Sequence, residues 1–290
     1  MFSLKKIALT TASSALIALG LGVTEAAQAF SWKYTADNHA DGVTGRRVGK
    51  GYEIFGTAYA QKGNRLYVGI NSNMVEGGNR HGGAEDKNIN YGDFFFNFSG
   101  KNFNQAMADG DLFAVKFAEG NDSGATELGV YGGVQAKSVT STNSGFSSLE
   151  KYNNRVKSIT DNDASLGDMT IEEAKDYLGE TGPNLNVIDT YETVVSNDVT
   201  FINDFSELGL DFANNLPHVG EDAYTYGFSF DISNLPKGDF IAHLMAECAN
   251  DSVAIIGSLD SQDVPEPATA ASFVVLGLGL AMRRRQRSQA

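Results

Sequence analysis

Short segments in which large apolar side chains alternate with smaller or polar ones recur through the middle of this chain of 290 residues. In the segment TYGFSFDI, Tyr226, Phe228, Phe230 and Ile232 fall on every second position, so in a strand they share one face. Gly, Asn and Asp separate these segments, as is typical of turns between strands. We therefore predict a mainly β fold over residues 30–260, an antiparallel β-sandwich of jelly-roll type.

The predicted strands share this alternation or are rich in aromatic and β-branched residues. In chain order they are SWKYTA, YEIFGTAYA, RLYVGINS, DFFFNFS, DLFAVKFA, ELGVYG, VQAKSVT, DVTFIND, ELGLDFA, AYTYGFSFDIS, DFIAHLMAE and SVAIIGSL.

Between about residues 145 and 180 the pattern changes to one typical of helices. Phe146, Leu149 and Tyr152 follow one another at intervals of three. Thr170 followed three residues later by Glu173 has the spacing of a capping box, in which each residue's side chain binds a backbone N–H of the other. We predict a short helical insertion that covers one end of the sandwich.

The first 29 residues have the layout of a secretory signal peptide. Lys5 and Lys6 precede an apolar stretch over residues 7–23, and Ala27 and Ala29 supply small residues at a cleavage site. We expect the export machinery to translocate the chain, and signal peptidase to release a mature protein that begins at Phe30.

Residues 261–290 have a different layout. An uncharged stretch over residues 268–282 would span about 22 Å as a helix, whereas a bilayer core is about 30 Å thick. Arg283, Arg284, Arg285 and a further arginine follow, and such a cluster holds its end of a chain in the cytoplasm. The segment therefore predicts a transient inner-membrane helix, with the β domain exported.

The order of motif, apolar stretch and arginine cluster resembles the PEP-CTERM sorting signal, with the motif at Val264-Pro265-Glu266-Pro267-Ala268-Thr269. The resemblance implies processing by an exosortase, a membrane-embedded cysteine protease of Gram-negative bacteria that make extracellular polysaccharide. It places the recognition site at Pro265, Glu266 and Pro267. The expected destination is the cell surface or the extracellular matrix.

Two segments of the middle region resemble a cyanobacterial group of exosortase-dependent surface proteins. They are GDLFAVKFAEGNDSGATELGVYGGVQAKSVTSTNSG and GDFIAHLMAECANDSVAIIG. This resemblance implies a surface location; the biochemical role of that group is unassigned, so it supplies no catalytic residues to carry over to this sequence.

The region between the two ends is strongly acidic. The whole chain has a formal net charge of −14, and the ends contain six basic and two acidic residues, which leaves −18 for residues 30–263. Such a charge argues against nucleic acid and anionic membrane surfaces as partners, because both would repel it.

Calcium is the one cofactor for which the sequence offers candidate ligands. Asp161, Asp163, Ser165 and Glu172 occupy positions 1, 3, 5 and 12 of an EF-hand-like loop, although Leu166 stands where that loop needs glycine. We favour an acidic loop that caps the next helix and retain Ca²⁺ binding as the alternative. The acidic loops at Asn121-Asp122 and Asn250-Asp251 are further candidates.

The sequence carries no recognisable catalytic motif. Cys248, the single cysteine, lies among apolar residues and is expected to be a buried thiol. His243 and Glu247 are expected to form a structural pair. We therefore expect a non-enzymatic protein with a structural or adhesive role in the polysaccharide layer. A carbohydrate-binding module with sugar-stacking Tyr and Trp side chains is the alternative, and a polysaccharide-active hydrolase is the third candidate.

Overall fold

The computed structural model describes residues 30–261. Its strands are β1 (Lys33–Ala36), β2 (Val43–Thr44), β3 (Arg47–Val48), β4 (Ile54–Lys62), β5 (Arg65–Ser72), β6 (Asn79–Arg80), β7 (Asn88–Ile89), β8 (Phe94–Asn97), β9 (Leu112–Lys116), β10 (Gly129–Gly132), β11 (Gln135–Lys137), β12 (Ser165–Leu166), β13 (Met169–Thr170), β14 (Val187–Thr190), β15 (Thr193–Ser196), β16 (Val199–Ile202), β17 (Tyr224–Asp231), β18 (Gly238–Met245) and β19 (Ser252–Leu259). The helices are α1 (Phe103–Ala108), α2 (Leu149–Thr160), α3 (Ile171–Leu178) and α4 (Phe212–Asn215), with a 3₁₀ turn at Ser206–Leu208.

Two larger sheets organise these strands. One has five strands in the order β1-β4-β5-β17-β16, and the other has six in the order β15-β10-β9-β8-β18-β19. Every neighbouring pair within them is antiparallel. The prediction of a mainly β fold built from antiparallel sheets is confirmed.

The main hydrophobic core draws its side chains from both sheets and is rich in phenylalanine. Phe94 and Phe96 of β8 meet Phe228 and Phe230 of β17, with ring centroids 5.8 Å and 5.7 Å apart. Edge-to-face rings at this spacing attract one another in addition to burying apolar surface. All four side chains are buried, and complete burial of one such ring stabilises the fold by about 1.5–3 kcal/mol. The alternation in TYGFSFDI therefore predicts the buried face of β17 correctly.

A second core lies on the opposite face of the six-stranded sheet. Apolar residues of α1, α2 and α3, including Phe103, Leu149 and Ala174, pack with Phe95 and Ala114 of the sheet. The insertion therefore covers this face of the sheet, whereas the sequence led us to expect it at one end. The reason is that the second face of β8 and β9 is also apolar and needs a partner. The capping box of Thr170 and Glu173 at the start of α3 is confirmed.

The sequence is wrong about one strand and misses eight, six of which have only two residues. The segment ELGLDFA forms a 3₁₀ turn and α4, because Gly209 adopts a left-handed conformation and Asp211 caps the helix at the amide of Asn214. The two longer missed strands, of four residues each, are β14 and β15, which belong to the segment VIDTYETVVS. β15 is an exposed edge strand, so burial leaves no clear alternation in its sequence.

The two ends of the described segment lie together. Lys33 in β1 pairs with Tyr59 in β4, and the Ser258 amide near the end of β19 donates to the Tyr59 hydroxyl at 3.2 Å. The backbone of Asp260 also exchanges two hydrogen bonds with the Gln61 side chain. We call this end of the two sheets the proximal end.

The opposite end, which we call the distal end, is where β1 finishes and where β4 and β19 begin. There the amide of Ile54, the first residue of β4, donates to Asp251, the residue before β19. The seven residue steps along β19 separate the two ends by about 24 Å. No helix within residues 30–261 is long and apolar enough to cross a membrane.

Candidate metal centre and adjoining cleft

Four buried carboxylates meet at the distal end. Asp37 follows β1, Asp41 lies four residues later, Glu53 precedes β4 and Asp251 precedes β19. Asp37 is 7% exposed and the other three side chains are fully buried. We call these four residues the distal carboxylate cluster. They converge because strands from both sheets start or finish at this end.

The cluster is tight enough for several carboxylates to contact one small ion. Asp37, Asp41 and Asp251 each place one carboxylate oxygen within 4.8 Å of those of the other two. Within residues 30–261 this is the one group of three or more acidic, histidine or cysteine side chains with that spacing. Glu53 lies beside it, close enough for the charges of Asp37 and Asp41 to act on its carboxyl group.

Backbone amides hold one side of each carboxylate. Asp37 accepts from the Gly167 amide at 2.7 Å, and Asp41 accepts from the Ser165 amide at 2.9 Å. Glu53 accepts from the Gly42 amide at 2.9 Å. Asp251 is bound through both oxygens, by the amides of Ile54 and Ser252 and by the Tyr152 hydroxyl. The carboxylates are therefore oriented by the fold before any ligand arrives.

The second oxygens of three members accept no hydrogen bond from the described residues. These atoms are Oδ2 of Asp37, Oδ1 of Asp41 and Oε1 of Glu53, and all three are buried. Buried carboxylate oxygens normally have partners, because desolvation of an unpaired charge costs several kcal/mol. No ion pair among residues 30–261 involves any of the four carboxylates.

This environment disfavours the charged form of every member. Burial raises the pKa of Asp41 to about 7. Burial, with the charges of Asp41 and Asp37, raises the pKa of Glu53 to about 9. Burial and neighbouring carboxylates also raise the pKa values of Asp37 and Asp251 well above the usual range. Near neutral pH the cluster requires either protons or a cation.

A small hairpin formed by β2 and β3 closes over the cluster. The amide of Val43 donates to the Asn250 carbonyl at 2.8 Å, which joins the hairpin to the residue before Asp251. Gly42, which binds Glu53, has no room for a side chain: an added Cβ would lie 2.7 Å from the Glu53 Cα atom. Close backbone approach therefore requires glycine at this position.

Asp93 is another buried carboxylate in this protein, and both of its oxygens accept hydrogen bonds. It is fully buried and accepts from the Ile188 amide, the Ser123 hydroxyl and the Asn121 side-chain amide. The positive charge of Lys116 also lowers its pKa, although burial raises it more strongly. The distal carboxylate cluster has no such cation among its contacts.

A cleft of about 430 Å³ opens beside the cluster. His39, which lies between Asp37 and Asp41 in sequence, is on one wall, and its ring centroid is 4.2 Å from that of His218. The Tyr224 side chain is 51% exposed at this cleft. Other lining residues that offer polar or aromatic groups are Lys50, Phe55, Asn73, Glu221 and Asp222. The volume is within the range of small-ligand sites.

The structure does not bring together the four residues of the predicted EF-hand-like loop. The Asp163 carboxylate binds Lys157 and Asn153, and Glu172 pairs with Lys175 on the surface of α3. Asp161 ends α2 in a left-handed conformation. The chain turns back at once in the β12–β13 hairpin, with Leu166 buried. The segment then leads into the Thr170 cap of α3, and Ca²⁺ binding by these four residues stays a prediction.

Ser165 has a different role from the one predicted. Its hydroxyl donates to Asp37 and its amide donates to Asp41, so the segment supports the distal carboxylate cluster from outside. Of the cluster members, the sequence pointed only to Asp251, as an acidic loop residue. Asp37, Asp41 and Glu53 were missed, because nothing in the sequence shows that they meet Asp251 about 200 residues later.

The expected pair of His243 and Glu247 does not form. The two His243 ring nitrogens have no hydrogen-bond partner within residues 30–261, and the ring stacks on Phe95 at 5.3 Å. Glu247 accepts instead from the amides of Asn90 and Asp122. Cys248 is a buried free thiol, as expected, and burial raises its pKa to about 12, which opposes nucleophilic chemistry.

The remaining predicted site residues lie outside residues 30–261. They are Ala27 and Ala29 of the signal cleavage site and Pro265, Glu266, Pro267, Arg283, Arg284 and Arg285 of the sorting signal. Comparison of the chain with known protein families, with curated proteins and with solved structures finds no match.

Proposed function

We propose that this chain is an exported, non-enzymatic β-sandwich protein that an exosortase processes, and that it has a structural or adhesive role at the cell surface or in the extracellular matrix. Support for export and sorting comes from the sequence of the two ends. The Ala27–Ala29 site would be cut by signal peptidase, and Pro265, Glu266 and Pro267 would be recognised by the exosortase. The precursor would stay in the inner membrane only until the second cleavage.

The single structural observation that supports this arrangement is the position of the ends of the two sheets. Lys33 and Ser258 both lie next to Tyr59 at the proximal end, so the described segment begins and ends at the same end of the two sheets. If the tail holds the domain at the membrane, the distal end would therefore point away from the membrane. The distal carboxylate cluster and the cleft would then be presented to the polysaccharide layer.

The sorting proposal is tested by substitution in the tail. Glu266→Ala, or deletion of residues 283–287, should leave precursor in the inner membrane of the native host. Glu207→Ala, a substitution of an exposed glutamate in the 3₁₀ turn, is the matched control and should be processed normally. Intact mass of the surface and membrane fractions measures the outcome. Normal release of both tail variants would refute sorting by this signal.

The cleft favours a second candidate function, carbohydrate binding. An exposed tyrosine beside amide, imidazole and carboxylate groups is the combination that stacks on a sugar ring and binds its hydroxyls. The cleft has both acidic and basic side chains, which suits a neutral polyhydroxylated ligand better than a charged one. The proposed partner is therefore extracellular polysaccharide.

Retention on immobilised neutral oligosaccharides tests this second function. Tyr224→Ala should abolish saturable binding, whereas Tyr191→Ala, which removes a tyrosine 39% exposed and outside the cleft, should retain it. Release of reducing ends from the same glycans would show instead a hydrolase. Equal binding by the two variants would exclude the cleft as the site.

A further inference from the structure

We infer that the distal carboxylate cluster is a calcium-binding site, with Asp37, Asp41 and Asp251 as ligands and Glu53 as a fourth acidic group beside the ion. The inference concerns residues 37–53 and 251, and it is independent of the sorting and glycan proposals. It assigns a metal to residues other than those of the EF-hand-like loop.

The unmet bonding capacity of buried carboxylate oxygens carries the inference. Three buried carboxylate oxygens accept no hydrogen bond from residues 30–261, while their partner oxygens are fixed by the amides of Gly167, Ser165 and Gly42. The acidic cluster alone would not define a site, since acidic groups often gather at surfaces. These side chains are instead at least nine-tenths buried and are held in place by the backbone. A divalent cation supplies the charge that no lysine or arginine supplies here.

The type of donor and the burial of the site favour calcium. All the donors are oxygens, which suit Ca²⁺ and Mg²⁺ and not the transition metals that prefer imidazole or thiolate. One oxygen each of Asp37, Asp41 and Asp251 lies within 4.8 Å of the other two, so a single ion with Ca–O distances of about 2.3–2.6 Å can contact all three. Mg²⁺ requires shorter distances and usually keeps several waters, for which a fully buried set of carboxylates leaves little room.

The location of the site gives the ion a structural effect. The cluster joins the segment after β1, the segment before β4 and the segment before β19, and thus connects the five-stranded sheet to the six-stranded one. The same backbone carries His39, Gly49 and Phe55 of the cleft. Calcium would therefore hold the distal end of the two sheets together and fix one wall of the cleft.

Thermal unfolding of the full chain, first stripped of metal with a chelator, tests the assignment. About 10 mM Ca²⁺ should raise the melting temperature by roughly 5–10 °C if the dissociation constant is about 0.1 mM, at the tight end of the range for extracellular calcium modules. Elemental analysis after dialysis should find one calcium per chain. Mg²⁺ at the same concentration should give a much smaller shift. An equal response to Mg²⁺ would overturn the assignment to calcium.

Two isosteric variants separate metal binding from simple loss of a buried group. Asp41→Asn should lose the calcium-dependent shift, yet its metal-free form should melt at the same temperature as the unaltered metal-free protein or higher, because one repelling charge is gone. Asp93→Asn, the control, should melt lower with and without calcium and keep the shift. A calcium shift retained by Asp41→Asn would overturn the inference.

Terbium luminescence gives a readout that does not depend on the folding of an Asp41 variant. The Tyr152 hydroxyl lies 3.2 Å from Oδ1 of Asp251, so Tb³⁺ bound in the cluster should emit when Tyr152 is excited, and Ca²⁺ should displace it. Tyr152→Phe should weaken this emission and leave the calcium-dependent melting shift. No Tb³⁺ emission and no calcium shift in the unaltered protein would show a cluster satisfied by shared protons, which overturns the inference.

Discussion

Asp41 and Asp93 are both buried carboxylates, but they differ in the groups that surround their two oxygens. Amide and hydroxyl groups donate hydrogen bonds to both oxygens of Asp93, and the positive charge of Lys116 acts on the same carboxylate. The Ser165 amide donates to one oxygen of Asp41, the other oxygen accepts no hydrogen bond from the described residues, and the charged groups beside it are other carboxylates. Burial raises the pKa of both groups, so the difference lies in what is available to neutralise the charge.

The metal-free protein should become less stable as pH rises from about 4 to 9. The pKa of Asp41 is raised to about 7 and that of Glu53 to about 9, so the folded state keeps protons that the unfolded state has already released. Stability is therefore greatest at low pH for these groups and is lost as pH passes through the raised pKa values. Urea unfolding at several pH values in a chelator measures this slope.

Calcium should remove that dependence, because the ion replaces the protons. With Ca²⁺ present, the free energy of unfolding should change little across the same range, and calcium affinity should increase with pH. Burial also raises the pKa of Glu247 to about 7, which adds a slope of the same sign. The Asp41→Asn variant isolates the contribution of the cluster. An unchanged slope in that variant would contradict this explanation.

His243 should produce the opposite slope on the acid side. Burial lowers the pKa of His243 to about 3, so below about pH 6.5 the unfolded state binds a proton that the folded state does not bind. Stability from this group is present above about pH 6.5 and falls by about 1.4 kcal/mol per pH unit as acid is added. His243→Phe should remove that slope in urea unfolding between pH 4 and 6. It should also raise stability near neutrality, since two unpartnered ring nitrogens are replaced by carbon.

At the scale of elements, the sequence predicts best where burial imposes alternation on one strand. β17 shows this, because Phe228 and Phe230 belong to the main hydrophobic core, whereas the alternate residues Gly227 and Ser229 do not. The prediction fails for β15, where exposure removes the pattern, and for ELGLDFA, where Phe212 is buried in a helix against Ala58. Of the distal carboxylate cluster only Asp251 was a candidate from the sequence, since the members come from three loops and meet only after both sheets pack. Local spacing offered Asp161, Asp163, Ser165 and Glu172 as the alternative calcium loop, and the structure does not bring these four residues together.

The start of α3 gives a prediction for a single element. Thr170→Ala removes the side chain that accepts from the Glu173 amide, and it should lower the free energy of unfolding by about 1 kcal/mol. Thr170→Ser keeps the hydroxyl and should retain most of the stability. Denaturant unfolding of the two variants under identical conditions measures the difference. Equal loss in both would show that the Thr170 methyl group, and not the cap, is responsible.

At the scale of the whole molecule, stability is divided between a hydrophobic centre and an electrostatic distal end. The centre contains aromatic side chains from both sheets, and the packing of these side chains holds the two sheets together at any calcium concentration. The distal end has four carboxylates where the sheets meet, and without a cation these repel one another. Removal of calcium should therefore loosen one end of the protein without unfolding the whole.

Amide hydrogen exchange can locate that effect along the chain. In chelator, the amides of Ile54, Ser252 and Ser165, which donate to cluster carboxylates, should exchange faster than in calcium, as should the β2–β3 hairpin. Amides in the centre of β5 and β17, such as Val68 and Phe228, should exchange at the same rate in both conditions, because they pair in the middle of the five-stranded sheet. A uniform change over all amides would mean that calcium acts only through global unfolding. No change at the distal end would mean that the two sheets are held there without an ion.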